Sequence, residues 1–219
     1  MLQKTLTINN IILLSSLLII ILFLPLLSAH DKEIRHFIIT AIIVSGSFSL
    51  DFRPKALIIL VGSGAVAISL TWLSYFFDWF GLAALLSSFC FNGFITVFMI
   101  RHIFKNKQVT GTIILNSING YLLLGLLGAL LISMAETIEK LIFQSDIAAI
   151  TFSGSTAEGF HEYIYFSFVT LTTLGYGDII PISPVAKSIT LVIAVTGQLY
   201  LTILVAVLVG KFLRQEEKE

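Results

Sequence analysis

Long runs of apolar residues, separated by short polar connectors, recur along the whole chain. A helix needs about 20 apolar residues to cross the hydrocarbon core of a bilayer, and five runs are close to that length or longer. They cover residues 11–29, 56–77, 80–100, 111–135 and 185–210, and Lys187 is the one charge inside them. A shorter run at 37–50 predicts another span, either short or extended by its flanking residues. The pattern therefore predicts six transmembrane helices.

A different pattern lies between the last two long runs. The aromatic stretch 161–171 is too short to span the bilayer and predicts a helix that enters the membrane only partway. It leads directly into Thr172-Thr173-Leu174-Gly175-Tyr176-Gly177-Asp178. Backbone outside a helix is tolerated at membrane depth only where protein or a water-filled cavity satisfies it. The segment is thus predicted to be an extended strand that lines a pore; the plainer alternative is a glycine-rich turn at the membrane surface.

The two glycines of this segment allow a ring of backbone carbonyls. A cation that sheds its water needs successive carbonyl oxygens aimed at one axis, whereas those of an ordinary strand alternate. Gly175 and Gly177 take positive φ at little steric cost, so the residues on either side of each can aim inward. Thr173 adds a hydroxyl oxygen at the inner end. The Tyr176 ring is predicted to point away from the axis and to pack behind the strand.

The composition excludes an ordinary soluble domain. Hydrophobic residues make up 57% of the 219 residues, charged residues only 12%, and the mean hydropathy is +0.98. Basic residues cluster in the connectors of one predicted side, at 53–55, at 101–107 and in the C-terminal tail. The positive-inside rule then predicts that both termini are cytoplasmic. Cys90 is the only cysteine, so an intrachain disulfide and a cysteine-based metal site are excluded.

The first apolar run also fits a cleavable secretory signal. Lys4 precedes the run, and residues 27–29 read Leu-Ser-Ala, as before a cleavage site. Cleavage would leave five spans and an outside N-terminus. The run is longer than a typical signal core, which favours an uncleaved first helix.

The order of elements in 111–210 resembles the potassium channel pore family, with its outer helix, pore helix, filter and inner helix. Thr173, Gly175, Tyr176 and Gly177 match the filter of that family, and Leu174 replaces the commoner valine. The resemblance implies that these five residues form the K⁺ site. Its ligands would be the carbonyl oxygens of residues 173–176 and the Thr173 hydroxyl.

The resemblance also implies supporting residues around the filter. Asp178 matches the acid just outside it, and the aromatic cuff is matched by Tyr165 and Phe166, where tryptophans often stand. Val169 stands where some bacterial members carry a glutamate that pairs with the acid, so that pair is absent. The complete set of predicted supports is Tyr165, Phe166, Thr170, Thr172 and Asp178.

The last apolar run matches the inner helix of the family. Gly197 lies at the position of the inner-helix hinge, where glycine lowers the resistance to bending; close packing against a neighbouring helix is the alternative. One helical face is predicted to line the pore, and an apolar ring on it could close by dewetting. That face carries Thr202, Val205, Ala206 and Val209. The alternative is that these residues face lipid or pack against helices.

The chain is predicted to have three parts: a four-span peripheral membrane domain at 1–108, a pore domain at 109–212 and a short cytoplasmic tail at 213–219. In six-span channels of this layout, regularly spaced arginines on the fourth helix sense voltage. The run 80–100 contains no basic residue before Arg101, so the field finds no gating charge there to move. Little or no voltage sensing of that kind is expected.

These features predict an all-α integral membrane protein with six transmembrane helices, a re-entrant pore helix and an extended filter. Four copies would close the ring, giving a homotetramer in the cell membrane, in particular a bacterial inner membrane. The predicted function is passive, K⁺-selective conduction without a cofactor. The predicted partners are the lipid bilayer and potassium ions, with no nucleic acid, and an unknown regulatory subunit is left open.

Two alternatives stay within membrane proteins: a cation channel of poor selectivity, and a non-conducting membrane subunit or scaffold. An enzyme is not expected. An intramembrane hydrolase needs paired groups, and the apolar runs hold serines but no acid or histidine deep enough to activate them.

Overall fold

Helices make up most of the structure, a computed structural model that describes residues 2–23, 31–49, 54–106, 108–142, 149–152 and 159–216. The α-helices are α1 Leu2–Phe23, α2 Asp31–Ser47, α3 Pro54–Phe76, α4 Gly81–Lys105, α5 Gly111–Ile142, α6 Phe160–Leu171 and α7 Pro184–Glu216. A short 3-10 helix, Asp78–Phe80, joins α3 to α4. Two strands, β1 Ile150–Phe152 and β2 Ile179–Pro181, flank α6 along the chain.

Four described segments are long and apolar enough to cross a membrane: Leu57–Phe76, Asp78–Lys105, Gly111–Leu141 and Pro184–Glu216. In α1 the apolar part is shorter, Thr7–Phe23. Helix α2 has 17 residues, which is below the length of about 20 that a span usually needs. The protein is thus a helical membrane protein, and the spans assigned to α1 and α2 stay predictions.

Two features differ from the sequence-based expectation. Helix α2 begins at Asp31, so the apolar run that starts at residue 37 forms only the later part of this helix. The strands β1 and β2 were not foreseen; they pair antiparallel, with Ile150 opposite Pro181 and Phe152 opposite Ile179. The candidate cleavage site at 27–29 lies outside the described residues.

One hydrophobic cluster joins the first four helices to α5. Its buried members include Leu17 of α1, Ile43 of α2, Phe91 of α4 and Leu126 of α5. Gly64 of α3 allows this approach, because a Cβ there would lie only 3.0 Å from the Phe91 ring and 3.1 Å from Ile43. The cluster contains residues from both sides of the connector after α4. The domain boundary predicted at 108 stays a prediction.

A second cluster surrounds the C-terminal half of α6. Phe166 and Leu171 pack there with Ile132 of α5, Ile150 of β1 and Ile193 of α7. Burying a large apolar side chain stabilises a fold by about 1.5–3 kcal/mol. The cluster therefore fixes α6 between α5, α7 and the strand pair.

Much of the surface of the single chain is apolar. Only 11% of the apolar window of α7 is buried, against 61% of that of α5, so α7 is largely uncovered within one chain. Leu191, Val195 and Leu199 are among its exposed side chains. Cys90 is exposed on α4. In a membrane protein such faces meet lipid or other helices.

Candidate functional site

The end of helix α6 carries the chain directly into the glycine-containing segment 172–178. Four successive N–H groups, from 172 to 175, donate to the carbonyls of Phe168, Val169 and Thr170 over 2.9–3.3 Å. The last carbonyls of a helix have no partner within the helix itself. These bonds satisfy them and fix the point at which the segment starts.

Left-handed backbone recurs at every second residue of the segment. The φ angle is +62° at Thr173, +56° at Gly175 and +79° at Gly177. The positive φ predicted for both glycines is confirmed, whereas that of Thr173 was not foreseen. Where left-handed residues alternate with right-handed ones, successive N–H groups line up on one side of a chain, and the carbonyl oxygens are then expected on the other side.

Space does not explain the glycines of this segment. A Cβ added at Gly175 or Gly177 would meet nothing within 4 Å in the single chain. Glycine is therefore needed at both positions for the backbone conformation, since other residues rarely adopt these φ values.

The side chains of the segment are uncovered in one chain. Leu174 is 59% exposed and Tyr176 is 68% exposed, so the packing predicted for the Tyr176 ring does not occur within a single copy. Beside the segment lies a cavity of about 310 Å³, lined among others by Tyr165, Thr170 and Ile179. The single chain thus supplies one strand and an open cavity next to it.

The outer end of the segment is held by Asp178. The Tyr165 hydroxyl donates to Asp178 Oδ2 over 2.6 Å, and the N–H of Ile179 donates to Oδ1 over 3.0 Å. The bond from Tyr165 lowers the pKa of the Asp178 carboxyl below its usual range, and backbone bonds act in the same direction. Phe166, the other predicted cuff residue, is buried in the second hydrophobic cluster.

The inner end of the segment meets α7. The Gln198 amide Nε2 donates to Thr173 Oγ1 over 3.3 Å. The preceding residue, Gly197, is buried against the end of α6, and a Cβ there would clash with the Leu171 carbonyl oxygen. Gly197 therefore has the close packing that was the alternative to a hinge.

Comparisons with known proteins match the part of the chain that contains this segment. Residues 131–214 match a family model described as "Ion channel". Two-pore potassium channel 4 of Arabidopsis thaliana is 39% identical over 66 residues, which are 30% of this chain and 23% of that relative. Residues 131–214 are thus similar to ion channels, and the relative that they match is named as a potassium channel. No solved structure matches the chain significantly.

This similarity to ion channels favours a transport function over an enzymatic one. The matched residues include the end of α5, the whole of α6, the segment 172–178 and most of α7. The aligned part is about a quarter of the relative's length. Residues 131–214 are thus the part of this chain that the comparisons describe.

Small residues allow α6 to pack closely against α5. A Cβ at Gly125 would clash with the Phe168 ring, and one at Gly128 would clash with the Ser167 hydroxyl. Ser167 is fully buried, and its Oγ donates to the Gly125 carbonyl over 2.6 Å. Sequence reasoning missed this serine, although it stands among aromatic residues on α6.

A glutamate of α5 holds the strand pair beside the segment 172–178. Glu136 is 7% exposed, and its Oε2 accepts from the N–H of Ala149 over 2.6 Å. Its Oε1 lies 3.1 Å from Lys140 Nζ. The Ala149 carbonyl in turn accepts from the N–H of Ile182, just after β2. The chain that leaves the segment 172–178 is therefore tied to α5 through β1.

The predicted pore-lining residues of α7 are uncovered in the single chain. Their side chains are exposed at Thr202, Val205, Ala206 and Val209. The Thr202 hydroxyl bonds within its own helix, to the Gln198 carbonyl over 2.8 Å. The fold leaves this face available to a pore, and its lining role stays a prediction.

Proposed function

We propose that this chain is one subunit of a homotetrameric channel that conducts K⁺ selectively and passively across a cell membrane. The observation that carries the proposal is the alternation of left-handed backbone at Thr173, Gly175 and Gly177. It brings the carbonyls to one side of the strand, which is the arrangement that replaces the water around a dehydrated cation. The similarity of residues 131–214 to ion channels supports the same interpretation.

In this proposal the filter consists of residues 173–177. The carbonyls of residues 173–176 and the Thr173 hydroxyl are the ligands of K⁺. Tyr165 and Asp178 brace the outer end through the bond between them. Helix α6 points its C-terminal end toward the inner end of the filter, where the dipole of the helix favours a cation.

Four copies are proposed because one chain contains one filter strand, and a closed ring of carbonyls needs several. The exposure of Leu174 and Tyr176, the cavity beside the filter and the uncovered face of α7 all support further copies around the strand. The chain is proposed to cross the membrane six times with both termini in the cytoplasm.

We also propose that conduction does not depend on a voltage sensor of the arginine type. Helix α4 contains no basic residue before Arg101, near its C-terminal end. The four-span part would then have a structural role around the pore.

The test is ion flux into liposomes that contain the purified protein, with K⁺ and Na⁺ gradients and with Ba²⁺ as a blocker. The proposal expects Ba²⁺-sensitive flux that strongly prefers K⁺. Equal flux of both ions would contradict selectivity. A verified tetramer without flux of either ion would contradict conduction by this chain alone.

Gly177→Ala is expected to abolish K⁺ flux, because a left-handed conformation costs a non-glycine residue about 1–2 kcal/mol and Gly177 has φ +79°. The measurement is K⁺ flux at equal protein incorporation. Gly62→Ala is the matched control, since a Cβ there meets nothing within 4 Å on helix α3. Selective flux that persists in Gly177→Ala would remove the filter role of this glycine.

A further inference from the structure

Gln198 is the only amide side chain in the apolar stretch 189–209 of α7. Its Nε2 donates to the Thr173 hydroxyl over 3.3 Å. Gly197 brings α7 against the Leu171 carbonyl one residue earlier, so the helix lies closest to the end of α6 at this level. Among the described residues the Gln198 side chain makes no other hydrogen bond.

The contact restricts what the Thr173 hydroxyl can do. A threonine hydroxyl has one donor hydrogen and two acceptor lone pairs. The amide of Gln198 occupies one lone pair and holds the side chain in one orientation. The second lone pair then remains available to an ion, on a residue whose backbone is already in the left-handed region.

The contact is also selective in its chemistry. Of the two polar atoms at the end of the Gln198 side chain, the donor faces Thr173. A donor at this position orients the oxygen of the hydroxyl, whereas an acceptor would orient its hydrogen. The difference decides whether the oxygen or the proton of Thr173 is free to face an ion.

We propose that Gln198 is a positioning residue that determines cation specificity at the innermost site of the filter. Its amide N–H holds the Thr173 hydroxyl with a lone pair directed to the ion. The inference rests on the proposed function, and it adds to the filter a residue that lies on the inner helix. Its ligand class is a monovalent cation that has lost part of its water.

Ba²⁺ block of K⁺ flux tests this inference in liposomes that contain the full-length protein. Ba²⁺ is close to K⁺ in size and carries twice the charge, so its inhibition constant reports on the affinity of a K⁺ site. Gln198→Leu removes the donor with little change in volume. Gln198→Asn keeps an amide side chain at this position of the helix. Because asparagine is one methylene shorter, its amide does not reach Thr173.

Both variants are expected to weaken Ba²⁺ block by roughly two- to tenfold, the range that the loss of one hydrogen bond produces. The Rb⁺ to K⁺ flux ratio is expected to change in both as well. Ser188→Ala is the control: this exposed serine bonds only to the Pro184 carbonyl of its own helix. A role in helix stability alone would change thermal unfolding and leave the inhibition constant and the flux ratio unchanged.

Three outcomes overturn the inference. Block and flux ratio that stay within twofold of the wild type in both variants would remove any role for Gln198. Normal behaviour of Gln198→Asn with altered Gln198→Leu would assign the effect to the polarity of the cavity rather than to the contact. A wild-type protein without K⁺ flux would overturn the proposed function itself, which a conducting wild type with unaffected variants would not.

Discussion

The carboxylate of Asp178 receives a different donor on each of its oxygens. The Tyr165 hydroxyl binds one and the N–H of Ile179 binds the other. Both bonds favour the ionised form, and the hydrogen bond from Tyr165 is the largest cause of the lowered pKa. The brace at the outer end of the filter therefore holds above the pKa of Asp178 and is lost as the pH falls through it.

Removing the Tyr165 hydroxyl should make the outer mouth more sensitive to acid. In Tyr165→Phe the pKa of Asp178 rises toward its ordinary value, so protonation starts at a higher external pH. We expect the acid limb of the K⁺ flux profile to shift upward in pH, measured in liposomes with a fixed internal pH. Tyr163→Phe on the same helix is the control, since Tyr163 is no cause of the pKa shift of Asp178. Superimposable profiles of Tyr165→Phe and wild type would refute this role.

At the scale of single residues, the sequence predicted what glycine chemistry dictates. Gly175 and Gly177 could be assigned positive φ because few other residues tolerate it. Thr173 could not, because threonine disfavours that region. Its N–H bonds locally to the Thr170 carbonyl, and its hydroxyl accepts from the distant Gln198 amide. The contact with Gln198 depends on the tertiary fold and could not be read from the sequence.

The contact between α6 and α7 depends on the absence of one side chain. At Gly197 a Cβ would clash with the backbone carbonyl oxygen of Leu171 and would lie 2.9 Å from the Leu171 side chain. A backbone group cannot rotate away as a flexible side chain can. The helices must then separate at the level where α7 meets the filter.

Gly197→Ala is therefore expected to destabilise the protein by about 1–3 kcal/mol, the usual cost of overpacking, and to reduce K⁺ flux. The measurement is thermal unfolding in detergent together with flux. Gly210→Ala is the matched control on the same helix, because a Cβ there meets nothing within 4 Å. Equal stability of the two variants would contradict the packing role.

The strand pair depends on a single buried acceptor. Replacing Glu136 with alanine leaves the N–H of Ala149 without its 2.6 Å partner, and an unsatisfied buried donor costs about 1–3 kcal/mol. We expect hydrogen exchange at 149–152 and 179–182 to accelerate in Glu136→Ala, measured by mass spectrometry.

Two companion variants sharpen this test of Glu136. Glu136→Gln keeps an acceptor and should exchange more slowly than Glu136→Ala. Lys140→Ala removes only the half-exposed ion-pair partner, which typically contributes about 0–1 kcal/mol, so its exchange should match the wild type. Acceleration in Lys140→Ala equal to that in Glu136→Ala would assign the effect to the ion pair instead.

At the scale of elements, the sequence located the centres of the helices and missed the strands. Apolar runs mark α3, α4, α5 and α7 because a span must be apolar along its length. Strands β1 and β2 have three residues each, too few for an alternating pattern. Their pairing depends on Glu136 and Ala149, which lie outside both strands.

At the scale of the whole molecule, α4 is the part of the first four helices on which a voltage sensor of the arginine type would carry its gating charges. The first basic residue of α4 is Arg101, near its C-terminal end, and no basic residue precedes it on that helix. One charge that crosses the full membrane field contributes about 2.3 kcal/mol per 100 mV. Without such a charge, we expect a change of the membrane potential to do little work on this helix.

We expect the open probability of single channels in planar bilayers to change with voltage by less than one gating charge would produce. The measurement is single-channel recording in symmetric K⁺ at positive and negative potentials. The control is the same recording after reversal of the protein's orientation, which should leave the result unchanged. A steep dependence in one orientation that inverts in the other would reveal a voltage sensor elsewhere in the chain.

The sequence of one chain says least about how copies of the chain assemble. The proposed number of copies rests on the ring that the proposed filter would close, whereas contacts between copies would depend on faces that are uncovered in a single chain. Helix α7, with its exposed Leu191, Val195 and Leu199, presents such a face, and lipid and protein are equally apolar partners for it.

The exposed Cys90 allows the distances between copies in an assembly to be measured. It is the only cysteine of the chain, so one thiol-reactive spin label attaches once per copy with no background to remove. In a fourfold ring the labels mark the corners of a square, and their separations take two values with a ratio of about 1.4. A twofold pair would give one separation, so two distances measured on the native sequence would count the subunits.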